Sequence, residues 1–128
     1  DFDVRRLPLI KPYFAISNPY DTSLWLTDLF TNNINLTYSA NGQMIYCDKR
    51  FISIFCYEGC ISDGKKCDSV FFLILPKDTL EYSFFKKKDL ISKVDSLFGV
   101  KEIEFEDINL IYDEYHRTGK LPWLTNKD

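Results

Sequence analysis

The spacing of apolar positions changes several times along this chain, and each change marks an element. Its strongest signal is Val70-Phe71-Phe72-Leu73-Ile74-Leu75, six consecutive apolar residues stopped by Pro76. A run this short, rich in branched and aromatic side chains, fits a strand buried on both faces, because a helix buried all round needs about twice the length. It predicts the central strand of a sheet. Upstream, residues 51–57 place Ile52, Ile54 and Cys56 on one side and Phe51, Ser53, Phe55 and Tyr57 on the other, so this strand too offers both faces to a core. Residues 34–40 alternate Ile34, Leu36, Tyr38 and Ala40 against Asn35, Thr37 and Ser39 and then reach Asn41-Gly42, the dipeptide best suited to positive φ at both centres of a hairpin turn. With Ala40 and Gln43 flanking that turn, Tyr38 faces Ile45 and Leu36 faces Cys47. Polar residues 58–59 and 62–66 turn into the central strand, and 76–79 turn out of it toward a strand over 80–85. The expected sheet is a five-stranded antiparallel meander.

Helical spacing frames that sheet. Asn18, Pro19 and Asp21 suit a cap, a first helical position and a first turn, and Trp25 with Leu29 and Leu26 with Phe30 lie one turn apart, predicting a short helix over 19–31. Before it, Pro8 and Pro12 interrupt Leu7, Leu9, Ile10, Tyr13 and Phe14, which predicts an extended lead-in or edge strand over 1–17. After Lys86-Lys87-Lys88, Asp89 is placed to cap a helix whose inner face is Leu90, Ile91, Val94, Leu97 and Phe98 and whose end is Gly99. Ile103 and Phe105 then alternate with Glu102, Glu104 and Glu106, predicting one more edge strand. Asp107 caps a final helix with Ile108, Ile111, Tyr112 and Tyr115 inward, stopped by Gly119 and Pro122. The expectation is a single compact α+β domain over 1–128, with a mainly antiparallel sheet of five to six strands and about three helices packed on one side.

Composition agrees with one core: the chain has 128 residues, 45% of them apolar, a size that buries roughly two-thirds of its unfolded surface. With 11 phenylalanines and 8 tyrosines the core should be aromatic, and some tyrosines must keep their hydroxyls in water. A net charge of -3 argues against direct nucleic-acid binding, which relies on lysine and arginine displacing counterions from phosphates. Lys86-Lys87-Lys88 after Phe84 and Phe85 is explained by a charged turn at a sheet edge. No apolar run reaches the roughly 18 residues that span a bilayer, and the first residues lack the apolar core of a signal peptide, so no membrane partner is expected.

Candidate chemistry is sparse. Cys47, Cys56, Cys60 and Cys67 are spaced C-x8-C-x3-C-x6-C, without the two close pairs of a four-cysteine zinc site, and the single histidine, His116, is far downstream. No metal or other cofactor is expected. Cys60 and Cys67 flank a polar hairpin loop where a bridge is feasible, while Cys47 and Cys56 fall on apolar faces where a thiol acts as a small hydrophobe; bridge and thiol readings both stand. Four thiols indicate the cytoplasm, whereas oxidised cysteines and glycosylation at the Asn35-Leu36-Thr37 sequon indicate secretion, and the balance favours the cytoplasm narrowly. His116 sits in the last turn of a helix, where the dipole alone favours it. No nucleophile–base pair or glycine-rich phosphate loop is present, so no catalytic residue is assigned and an enzyme is not expected. Calcium is disfavoured because carboxylates alternating along a strand do not make a looped cage.

The remaining feature is acidic. Glu102, Glu104, Glu106, Asp107, Asp113 and Glu114 lie between Lys101 and Arg117 with no lysine or arginine among them. Like charges in a row repel and are relieved by a basic partner, although charge on an edge also guards a sheet against pairing with another copy. The expected function is a non-enzymatic protein-binding domain that neutralises a basic protein, in the manner of an immunity protein against a toxic nuclease. Its contacts would be Glu102, Glu104, Glu106, Asp113 and Glu114, with Tyr112 and Tyr115 as aromatic anchors. The alternative is a secreted, disulfide-stabilised module that binds a host protein or a small apolar ligand.

Overall fold

The computed structural model describes residues 5–17, 25–29, 42–62 and 65–124. They form an α+β fold built on antiparallel sheets, as the sequence predicts. Strands β1 (Arg6–Pro8), β2 (Tyr13–Ser17) and β3 (Trp25–Leu29) make a small antiparallel sheet in the order β1-β2-β3. Strands β4 (Gly42–Cys47), β5 (Ile52–Ser62), β6 (Lys65–Leu75), β7 (Leu80–Phe84) and β8 (Glu106–Asp107) make the main sheet, ordered β7-β6-β5-β4-β8 and antiparallel throughout. Helix α1 (Lys87–Phe98) follows β7, and α2 (Ile108–Thr118) follows β8.

Alternation along β5 and β6 sets the layers. Ile52, Ile54, Cys56, Val70, Phe72 and Ile74 share one face with Leu7, Tyr13 and Ala15 of the small sheet, Ile108 of α2, and Trp123. Phe51, Phe71, Leu73 and Leu75 share the other with Leu90 and Val94 of α1 and with Ile103. A strand apolar on both faces must be covered on both. The helices therefore lie on opposite faces of the main sheet, where the sequence reading had them on one side. Ser53, fully buried between β4 and β6, is tolerated because its hydroxyl donates to the Phe72 carbonyl at 2.8 Å.

The interior strand 70–75 is as apolar as expected and is flanked on both sides, but β5 holds the middle of the sheet. The β5–β6 hairpin is also longer than its apolar core: pairing continues through Cys60↔Cys67 to Ser62↔Lys65, with a register shift after Tyr57. Polar side chains did not end these strands because the ladder is made by backbone groups, which pair whatever the side chain.

Three other elements differ from expectation. The lead-in is a hairpin: β1 pairs with β2 around a turn containing a cis Lys11–Pro12 bond, with Tyr13 N–H donating to the Ile10 carbonyl and Leu9 N–H to the Tyr13 carbonyl. Within the expected helix 19–31, residues 25–29 form β3, aligned from Trp25 opposite Ser17 to Leu29 opposite Tyr13; the rest of that segment lies outside the described residues. Pairing with β2 overrides a helical pattern only a few turns long, and Trp, Leu and Thr sit well in strands. Finally, the expected pairing of Tyr38 with Ile45 is displaced. Ile45 lies between Ile54 of β5 and Glu106 of β8, and residues 34–40 fall outside the described residues.

Both helices end as glycine predicts, with Gly99 and Gly119 in the left-handed region at φ 71° and 73° and their N–H groups donating to the Asp95 and Tyr115 carbonyls. Asp89 is not the cap of α1. Lys86 occupies that position without a side-chain cap, and Asp89 stands in the first turn, where the dipole still favours it. Asp107 does cap α2, accepting from the N–H groups of Asn109 at 2.8 Å and Leu110 at 3.2 Å.

Candidate functional site

The acidic segment lies on the edge next to β4. Only Glu106 and Asp107 pair in the sheet, and residues 101–105 have no ladder of their own, contrary to the expected strand. They keep an in–out alternation through side-chain packing. Ile103 is buried in the α1-side core, and Phe105 packs 6.0 Å from the ring centres of both Phe55 and Phe71, which stack on each other at 4.3 Å. Glu102, Glu104 and Glu106 are in consequence all exposed.

On α2, Asp113 and Glu114 are exposed, and both Glu114 oxygens accept from Arg117 Nη2 at 2.6 Å. The fold brings Glu106 and Glu114 to one groove of about 560 Å³, whose apolar wall includes Met44, Phe105, Leu110 and Ile111, with Lys120 and Pro122 closing it. Glu102, Glu104 and Asp113 do not line this groove. Tyr112 and Tyr115 are half-buried, pack against the core, and meet edge-on at 6.4 Å between ring centres. Tyr112 also holds the Arg5 guanidinium over its ring at 5.2 Å and stacks on His116 at 5.8 Å, so much of its aromatic surface is already engaged within the domain.

The residue the sequence reading missed is Leu110, which is 69% exposed and is the most exposed of the large apolar side chains described. A signal was available: with Ile108, Ile111, Tyr112 and Tyr115 facing inward, a leucine at 110 falls on the outer side of the helix. Leu110 stands in water beside the acidic residues Glu106, Asp107 and Glu114, which line the same groove.

A second concavity lies at the β1–β2 turn. It has a volume of about 810 Å³, with Leu9, Ile10, Pro12, Phe14, Trp123 and Leu124 among its walls and Lys11 and Lys49 as its charged groups. The C-terminal wall is fixed by Trp123 Nε1, which donates to the Pro8 carbonyl at 2.9 Å. Beneath it Tyr13 is 2% exposed, and among the described residues its hydroxyl has no hydrogen-bond partner. Burial, and secondarily the charge of Glu81, pushes the Tyr13 hydroxyl pKa up. Glu81 itself is raised by burial.

The turn between β4 and β5 is organised by Asp48. Its carboxylate accepts from the Tyr46 hydroxyl at 2.7 Å, the Arg50 guanidinium at 2.8 Å, and the N–H groups of Arg50 at 2.7 Å and Phe51 at 3.2 Å. Burial alone would raise this acid, but the bonds from Arg50, Tyr46 and the two amides outweigh it and hold the carboxyl below its usual range.

Cys47, Cys56 and Cys67 are thiols; the first two are buried, and burial pushes the Cys47 thiol far up. The backbone register sets Cys60 directly opposite Cys67. His116 is exposed and lines neither concavity. Among the described residues no group of three or more His, Cys, Asp or Glu side chains gathers to hold a metal, and no helix is long and apolar enough to cross a membrane. Comparison with protein-family models, with curated proteins and with solved structures gives no match.

Proposed function

We propose that this protein is a non-enzymatic binding domain that docks a basic protein partner on the acidic edge formed by residues 102–106 and α2. The observation that carries the reading is the groove in which exposed Leu110 stands with Glu106 and Glu114. An apolar anchor supplies contact energy, and flanking carboxylates supply steering and orientation, which is how small interfaces divide the work. Glu102, Glu104 and Asp113, exposed outside the groove, extend the negative field that guides the approach. Neutralisation of a toxic nuclease, in the manner of an immunity protein, suits this arrangement, because a nuclease presents a basic surface to nucleic acid and covering that surface blocks its substrate.

The test starts from the partner that co-purifies from the native source, identified by mass spectrometry and then produced alone. Leu110→Ala should weaken its binding by roughly tenfold, the effect of losing an apolar anchor worth about 1–2 kcal/mol. Reversing Glu102, Glu104 and Glu106 to lysine should slow association and flatten its salt dependence. If both variants associate at the wild-type rate in low salt and with wild-type affinity, the edge is only solvated charge and the proposal is wrong.

A further inference from the structure

The concavity at the β1–β2 turn has an electrostatic character opposite to that of the whole chain. The protein carries a net charge of -3, yet among the described residues the lining includes Lys11 and Lys49 and no aspartate or glutamate. Both lysines are exposed, and neither has an ion pair among the described residues. The neighbouring acid, Asp48, is held by Arg50 at 2.8 Å and is not among the lining residues.

The wall offers hydrocarbon and little else. Leu9 N–H and Tyr13 N–H are bonded within the turn, Leu124 N–H donates to the Leu121 carbonyl, and the indole N–H of Trp123 is bonded to Pro8. These four donors already have partners, and the one buried side-chain polar atom without a partner among the described residues, the Tyr13 hydroxyl, lies beneath the wall. What remains is an apolar surface with two cations, and its volume of about 810 Å³ lies in the ~300–1,000 Å³ range of small-molecule sites. The complement is an apolar body bearing one anionic head.

We propose that this concavity binds a single-chain carboxylate amphiphile, a free fatty acid, with its tail along Ile10, Pro12, Phe14 and Trp123 and its carboxylate at Lys11 and Lys49. The site is separate from the acidic edge and does not depend on the partner proposed there. Ammonium heads attract a carboxylate without demanding a fixed approach, so the lysines select head charge while the wall holds the tail.

The experiment is calorimetric titration of the intact protein with dodecanoate below its micelle concentration, and with dodecyltrimethylammonium as the same tail bearing the opposite charge. Dodecanoate should bind at one saturable site, at least tenfold more tightly than the cation. The double variant Lys11→Gln, Lys49→Gln, which alters only exposed side chains and should keep the wild-type thermal midpoint, should lose about fivefold to tenfold in dodecanoate affinity, in line with two exposed charge pairs. Lys11→Arg, Lys49→Arg should retain it. Sedimentation with phosphatidylcholine–phosphatidylglycerol vesicles separates a free acid from a membrane surface, and the protein should stay in the supernatant. Equal affinity for the two heads, no saturable binding of dodecanoate, an unaltered affinity in the glutamine variant, or co-sedimentation with the vesicles each overturns the proposal.

Discussion

Removing the Asp48 carboxylate tests how much of the main sheet rests on one turn. This side chain receives four hydrogen bonds, two of them from the amides of Arg50 and Phe51 and one from Tyr46, and the turn is closed by Asp48 N–H donating to the Phe51 carbonyl at 3.0 Å. It thereby seats Phe51, which is fully buried and stacks on Phe98 of α1 at 5.5 Å. The Arg50–Asp48 ion pair has side chains 46% and 25% exposed, so solvent screening reduces its share to about 0–1 kcal/mol. The Tyr46 and Phe51 bonds, being part-buried, contribute roughly 1 kcal/mol each, and the exposed Arg50 amide less. Asp48→Ala should therefore destabilise the domain by about 2–3 kcal/mol and lower its thermal midpoint by roughly 6–15 °C for a domain of this size.

The sign of the pH dependence is fixed by the direction of the shift. The folded carboxyl titrates below its unfolded value, so its stabilisation is present above the ordinary carboxylate range and is lost as pH falls through the folded pKa. Urea unfolding from neutral to acid pH should show the gap between wild type and Asp48→Ala narrowing in acid. Asp48→Asn, which keeps one acceptor oxygen for the amides, should fall between the two and show no such narrowing at this position. A loss below about 0.5 kcal/mol at neutral pH, the range of ordinary surface sites, or a gap that stays constant into acid, would refute the assignment of this turn to the carboxylate.

Three further outcomes follow from burial and register. Leu73, fully buried against α1, should cost about 2–5 kcal/mol when replaced by alanine, and a loss below about 0.5 kcal/mol in urea unfolding would move β6 out of the interior. Glu81 has a raised pKa from burial, so its charged form opposes folding at neutral pH; Glu81→Gln should be more stable than wild type there, with the difference vanishing in acid, and an equal midpoint at neutral pH contradicts this. Among the thiols, half-buried Cys67 should be alkylated before buried Cys47 and Cys56. With diamide as the oxidant, taking up two electrons and two protons from two thiols, the bridge formed should join Cys60 to Cys67 across their register; peptide mapping that finds either cysteine joined elsewhere refutes it.

Local signals determined much of this protein without reference to the rest of the chain. The apolar faces of β5 and β6, the Asp107 cap and the glycine ends of both helices are all legible in a few neighbouring residues, because side-chain alternation, capping bonds and left-handed backbone are short-range properties. The in–out order of residues 102–106 was legible too, since Ile103 and Phe105 seek the core whether or not a ladder forms around them. Pairing between distant segments was decided only by the tertiary structure. Residues 25–29 became a strand because β2 offered them an edge, and β4 took β8 as its second neighbour, although a hairpin signal at Asn41-Gly42 pointed elsewhere. The same holds for the two concavities. Met44 of β4 beside Leu110 and Pro122, and Trp123 with Lys49 beside the β1–β2 turn, are meetings of residues far apart in the chain. No periodicity within one element encodes them, because they depend on which faces of the main sheet the small sheet and the two helices come to cover.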